Sequence, residues 1–175
     1  MILPLALVAL PPAPRESSVV VRAEGFEVSL IAPSGWTAES DPNAYDSLPA
    51  VLFRKGEDFR TAKNVMFLNL DARKRPDLTA FVANRRASFL KDRPGATVRP
   101  ASKMETGDGS SALLFDFEDP KIGQYERRAY IETTSGIATL FLQCATPEAR
   151  KIHVPAFQTL VKGFRDRHAS PSGRS

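Results

Sequence analysis

Two short segments constrain this chain more than any other feature: residues 64–70 (NVMFLNL) and 137–145 (IATLFLQCA). Each has strand length and is apolar on both faces. In the second, Ala138, Leu140, Leu142 and Cys144 oppose Ile137 and Phe141. A strand that is apolar on both faces must be covered on both, so these two belong at the centre of a sheet with layers above and below. An edge position or a water-facing side would leave several large side chains in solvent.

The remaining pattern supplies the rest of that sheet and its cover. Residues 19–22 and 26–32 read as strands, with Phe26, Val28 and Leu30 on one face and Glu27 and Ser29 on the other. Residues 33–36 (PSGW) signal a turn, and the polar, proline-punctuated stretch 37–49 reads as a loop. Residues 50–54 form a short apolar strand. Strands at 97–105, 110–118, 124–132 and 137–145 are joined by turns at Gly107-Asp108-Gly109 and at 133–136. In 110–118 the alternation places Leu113, Phe115 and Phe117 inward and Asp116 outward.

Two segments carry a helical period. From Asp77, an N-cap residue, to Asp92, the positions Leu78, Phe81, Val82, Phe89 and Leu90 make one stripe, and Pro94-Gly95 ends it. Thr146-Pro147-Glu148 opens a second helix with stripe residues Phe157, Leu160, Val161 and Phe164. Pro155 lacks a backbone donor, so a kink or split is expected there. The sum is an α+β domain, a mostly antiparallel sheet of about six strands and two main helices, one on each face.

The ends differ in composition. Residues 1–10 (MILPLALVAL) are apolar and uncharged, and Pro11, Pro12 and Pro14 follow. Ten apolar residues fall short of the roughly 20 a membrane-crossing helix needs. They match the apolar region of an export signal without its positive flank, with cleavage near Ala9 or Ala13; a strand of the fold is the competing reading. The expected layout is therefore 1–17 signal and linker, 18–166 one domain, and 167–175 (RHASPSGRS) a disordered tail.

Catalytic chemistry has little to work with. In 175 residues there are two histidines and one cysteine, so no intrachain disulfide and no Cys/His zinc site can form. Cys144 lies in an apolar strand, where burial suppresses a thiolate. His153 has no second ligand one helical turn away, and His168 falls in the expected tail. No G-x-S-x-G elbow and no phosphate loop occur, since Gly107 and Gly109 lack the helix and lysine such a loop requires. Asp116, Glu118 and Asp119 lack a cation-loop pattern and read as solvated acids. The pairs Arg85-Arg86 and Arg127-Arg128 and the run Arg73-Lys74-Arg75 read as solvated basic surface. Without interleaved aromatics they do not favour nucleic acid. No catalytic, cofactor-binding or metal-binding residue is expected. Residues 37–49 and 56–63 are the loops on which contacts would concentrate.

One string is more specific than these singles. Gly25-Phe26-Glu27-Val28-Ser29-Leu30 leads into Ala32-Pro33-Ser34-Gly35-Trp36. This resembles the F-x-hydrophobic-x-x-P-x-G-W opening of the PsbP-like superfamily, which includes an extrinsic photosystem subunit, a Ran-binding import factor and DcrB-like bacterial proteins. The order of strands and helices over residues 18–166 is similar to the rest. The resemblance implies an α/β/α sandwich and action by binding or assembly without a shared catalytic site. It also implies that Phe26, Pro33, Gly35 and Trp36 are structural, and a buried indole is expected to find a partner for its N–H. The lipobox cysteine of the DcrB-like lipoproteins is missing here, so the resemblance does not extend to lipid anchoring. The expected function is thus a non-catalytic exported module that binds another protein. A cytoplasmic adaptor or chaperone for a secretion-system effector is the alternative, and a hydrolase comes third.

Overall fold

The structure is a computed structural model that describes residues 17–41, 45–72 and 77–168. Its chain order is β1 (Ser18–Ala23), β2 (Phe26–Ile31), β3 (Trp36–Glu39), β4 (Ala50–Arg54), β5 (Asn64–Asp71), α1 (Leu78–Asp92), β6 (Thr97–Glu105), β7 (Ser111–Asp119), β8 (Gln124–Glu132), β9 (Ile137–Cys144), α2 (Pro147–Gly163) and β10 (Arg165–Asp166). Seven strands form one antiparallel sheet in the order β3-β4-β5-β9-β8-β7-β6, and β1-β2-β10 form a second. The main sheet is therefore larger than the six strands expected. The α+β class stands, and so does the placing of β5 and β9 at the centre, where they pair along their full length from Asn64↔Cys144 to Asp71↔Ile137.

Three layers result. On one face, α2 and the three-stranded sheet bury Leu68, Leu140, Leu142, Phe157, Leu160 and Phe164 completely. On the other, α1 packs over β6 and β8, burying Phe81, Val82 and Phe89 against Phe117, Tyr130 and Ile137. The two helices thus lie on opposite faces, but α1 sits over β6 and β8, so the expected cover on both faces of β5 and β9 is complete only on the α2 side.

Local signals explain the helix starts. The Asp77 carboxylate accepts from the Thr79 and Ala80 N–H groups at 2.8 and 3.4 Å, and the Thr146 hydroxyl accepts from Ala149 N–H at 3.1 Å. Other expectations need correction. Leu90, placed on the α1 stripe, is 42% exposed. Pro155 does not split α2, which runs unbroken from Pro147 to Gly163, because Pro155 sits on the solvent side where the carbonyl left without its helical donor meets water. Residues 37–39, read as the start of a loop, belong with Trp36 to the edge strand β3. In β7 both faces are covered: Leu113, Phe115 and Phe117 point to the α1 side and Ala112 and Leu114 to the α2 side. Asp116 therefore faces α2 and not solvent.

Arg167 and His168, expected in the tail, are held to the fold. Arg167 N–H donates to the Glu27 carbonyl at 2.9 Å, and His168 N–H donates to the Asp166 carboxylate at 3.0 Å. Residues 1–16, with the apolar run and Pro11, Pro12 and Pro14, lie outside the described residues, as do Arg73, Lys74, Arg75 and residues 169–175. No helix among the described residues is long and apolar enough to cross a membrane.

Candidate functional site

The structural motif comes first, because it fixes one end of the sheet. Pro33 and Gly35 close a turn in which Trp36 N–H donates to the Pro33 carbonyl at 3.0 Å. Gly35 takes φ +78°, a conformation that favours glycine. This delivers Trp36 into the core at 1% exposure, and Phe26 is buried at 3%. His153 from α2 meets the indole edge to face at 5.4 Å, and the Arg54 guanidinium lies 5.9 Å from the ring. The expected partner for the indole is missing: Nε1 is buried and makes no hydrogen bond among the described residues. His153 is thus a packing residue, and burial, joined by the Arg54 charge, lowers its pKa from 6.5. Burial pushes the Cys144 thiol up to about 12, which leaves it inert.

The charged pairs are more ordered than a solvated surface. Arg127 and Arg128 point to opposite faces of the sheet, and neither is free. Toward α2, Arg127 grips both oxygens of Asp116 at 2.7 and 2.8 Å, and Arg150 of α2 reaches Glu118 at 2.5 Å. Asp116 and Glu118 are therefore anchors for arginines and not a cation cluster. Asp119 caps its own turn through Lys121 N–H at 3.2 Å. No group of metal-ligating side chains occurs among the described residues. Toward α1, Arg128 pairs with the buried Glu126 at 2.6 Å, with side-chain exposures of 13% and 3%. Its guanidinium stacks 3.8 Å from the Phe117 centroid, 5.0 Å from Phe141 and 5.3 Å from Phe89. Arg85 bonds Asp71 at 3.0 Å, and Arg86 covers the Phe115 ring at 4.8 Å.

A second arrangement emerges only from register. On the α1 face the residues Pro100, Phe115, Arg128, Phe141, Phe67, Val51 and Glu39 stand side by side across seven strands. One end of this row lies beneath α1. At the other, Tyr45 donates to Glu39 and meets Phe59 edge to face at 5.5 Å, so the two expected contact loops join above β3 and β4. The middle is open. Phe67 and Phe141 stack at 4.4 Å and 11° yet remain only half-buried, and Asn69 and the exposed Gln143 flank them. Their opposite-face neighbours Leu68, Leu140 and Leu142 are fully buried. Central strands with one sealed and one half-open face mark a surface able to take a further layer. The sequence pattern predicts cover on both faces of these strands; pairing of β5 with β9 sets Phe67 beside Phe141, and the pair is left half-open.

No family model and no curated protein sequence matches this chain. Solved structures do. The cyanobacterial PsbP, CyanoP, of Synechocystis sp. PCC 6803 matches over 91% of this chain and 98% of its own, with TM-score 0.55 and 10% identity. PA94 of Pseudomonas aeruginosa, a protein of unknown function described as a putative regulator, matches over 82% of this chain and 96% of its own, with TM-score 0.47 and 19% identity. With the turn motif seated as the resemblance implied and CyanoP superposing along nearly all of both chains, this chain has the PsbP-like fold.

Proposed function

We propose that this protein is a non-catalytic, exported binding module that assembles with another protein through the open centre of the α1 face. The observation that carries this reading is the stacked, half-buried Phe67–Phe141 pair on the two central strands. Aromatic groups at the middle of a contact surface supply most of its binding energy, while polar neighbours set orientation. Here Asn69 and Gln143 are those neighbours, and Arg128 stiffens the platform from beside it. Groups that a hydrolase would recruit have structural duties, His153 against Trp36 and Cys144 in the core. The charge-free apolar run at residues 1–10 supports export.

The test is recovery from the native host of wild type and of Phe67→Gln/Phe141→Gln, each verified as folded by circular dichroism. A stoichiometric partner should accompany wild type and fall about tenfold with the double variant, the effect of losing about 1.4 kcal/mol. Equal recovery with both chains, or monomer alone with wild type, overturns the surface. Mass spectrometry of the N-terminus tests export separately. A chain cut near Ala9 or Ala13 in an exported fraction is expected, and an uncut chain in the cytoplasm argues against it.

A further inference from the structure

A cavity of about 320 Å³ lies beside α2, on the face opposite the Phe67–Phe141 platform. Its wall is one stripe of that helix, Pro147, Arg150, Lys151 and Val154, and its floor is Arg127 of β8. Three cationic side chains converge on a small volume, and two of them are held rigidly. Arg127 uses Nε and Nη2 on Asp116, and Arg150 uses Nη2 on Glu118 and Nη1 on the Glu126 carbonyl at 3.4 Å. A guanidinium carries five N–H donors, so donors remain on both after these bonds. The carboxylates fix the guanidinium planes and leave those donors at set positions. Side-chain exposures of 16% and 12% keep both arginines within the wall, where solvent screens them weakly.

Lys151 differs. It is exposed at the mouth and has no ion-pair partner among the described residues. Of the residues lining the cavity, Arg127, Arg150 and Lys151 are cationic and stand against the Asp116 and Glu118 carboxylates that the two arginines hold, which leaves one positive charge in excess. The first turn of α2 adds its positive dipole end to the same side. Glu148, in that turn, is exposed and does not line the cavity.

We infer that this cavity binds a phosphate group, held by Arg127 and Arg150 and closed over by Lys151. Two fixed guanidinium planes suit an oxyanion with several acceptor oxygens, and the excess positive charge favours an anion there. Pro147 and Val154 give an apolar flank for whatever carries the phosphate. The site is independent of the protein-binding surface, so either can fail alone.

The experiment is titration of the full chain with inorganic phosphate at low ionic strength, read by backbone amide shifts. Shifts should centre on residues 148–154 and Arg127. Lys151→Glu should weaken binding about tenfold, while Lys162→Glu, an exposed lysine in the last turn of the same helix, should leave it within about twofold. Acetate, a monoanion, should bind more weakly than phosphate. A second arm uses phosphatidate vesicles. Sedimentation with them that Lys151→Glu abolishes, without a response to free phosphate, assigns the phosphate to a lipid headgroup. No response to either probe, or the same affinity in Lys151→Glu and wild type, overturns the site.

Discussion

Trp36 shows what a residue can and cannot announce. The turn that delivers it was legible, because Pro33 and Gly35 act through local backbone geometry. Its surroundings were not, since His153 and Arg54 reach it from α2 and β4. That contact makes the chain's one tryptophan a reporter on His153. Burial lowers the His153 pKa from 6.5, so the folded state prefers the neutral ring. The stability this contributes is complete above pH 6.5 and is lost as pH falls below it through the folded value. Tryptophan emission in the native protein should titrate with a midpoint below 6.5, and His153→Gln should remove the transition. An unchanged titration in the variant would separate His153 from the effect. At Gly136 the constraint is steric: a Cβ would stand 2.2 Å from the Asp71 carbonyl oxygen. Gly136→Ala should lower unfolding free energy by at least ~2 kcal/mol in denaturant titrations.

Elements with a sustained period were readable and those without one were not. β5, β9 and both helices carry enough residues for the alternation or the stripe to stand out. β3 has four residues and β10 only two, and a two-residue strand has no period at all. β10 exists because the chain leaving α2 meets the free edge of β2, pairing Arg165↔Ser29 and Asp166↔Val28. Pro155 is the opposite case, a strong local signal overruled. The amphipathic packing of α2 holds the helix through a residue that costs about 3 kcal/mol in a helix interior. Pro155→Ala should therefore stabilise the protein by about 1–3 kcal/mol, since it restores a donor toward Lys151 on an exposed surface. A lower melting temperature for that variant would show that proline is favoured in this helix.

At the scale of the molecule, turns tie the small sheet to the large one. Asp166 accepts from the Thr134 N–H and hydroxyl at 2.6 and 2.7 Å, and its own N–H donates to Asp108 at 2.6 Å. Two hairpin ends of the main sheet are thereby fastened to β10. Asp166→Ala should cost about 2–3 kcal/mol and speed amide exchange in β1 and β2 ahead of the main sheet, a difference that uniform exchange would refute. The local chemistry of the chain decided its longer strands, its helix starts, the central place of β5 and β9 and the inertness of Cys144. Periodicity, capping and turn geometry act over a few residues, so a sequence displays them directly. Tertiary structure alone decided the seven-strand order, the meeting of Phe67 with Phe141 and the conversion of acids and arginines into a paired array. Those depend on partners such as Arg150 and Glu118, or Arg167 and Glu27, that lie 32 and 140 residues apart. Strand register and helix docking bring such pairs together, and no short-range pattern in the chain encodes either.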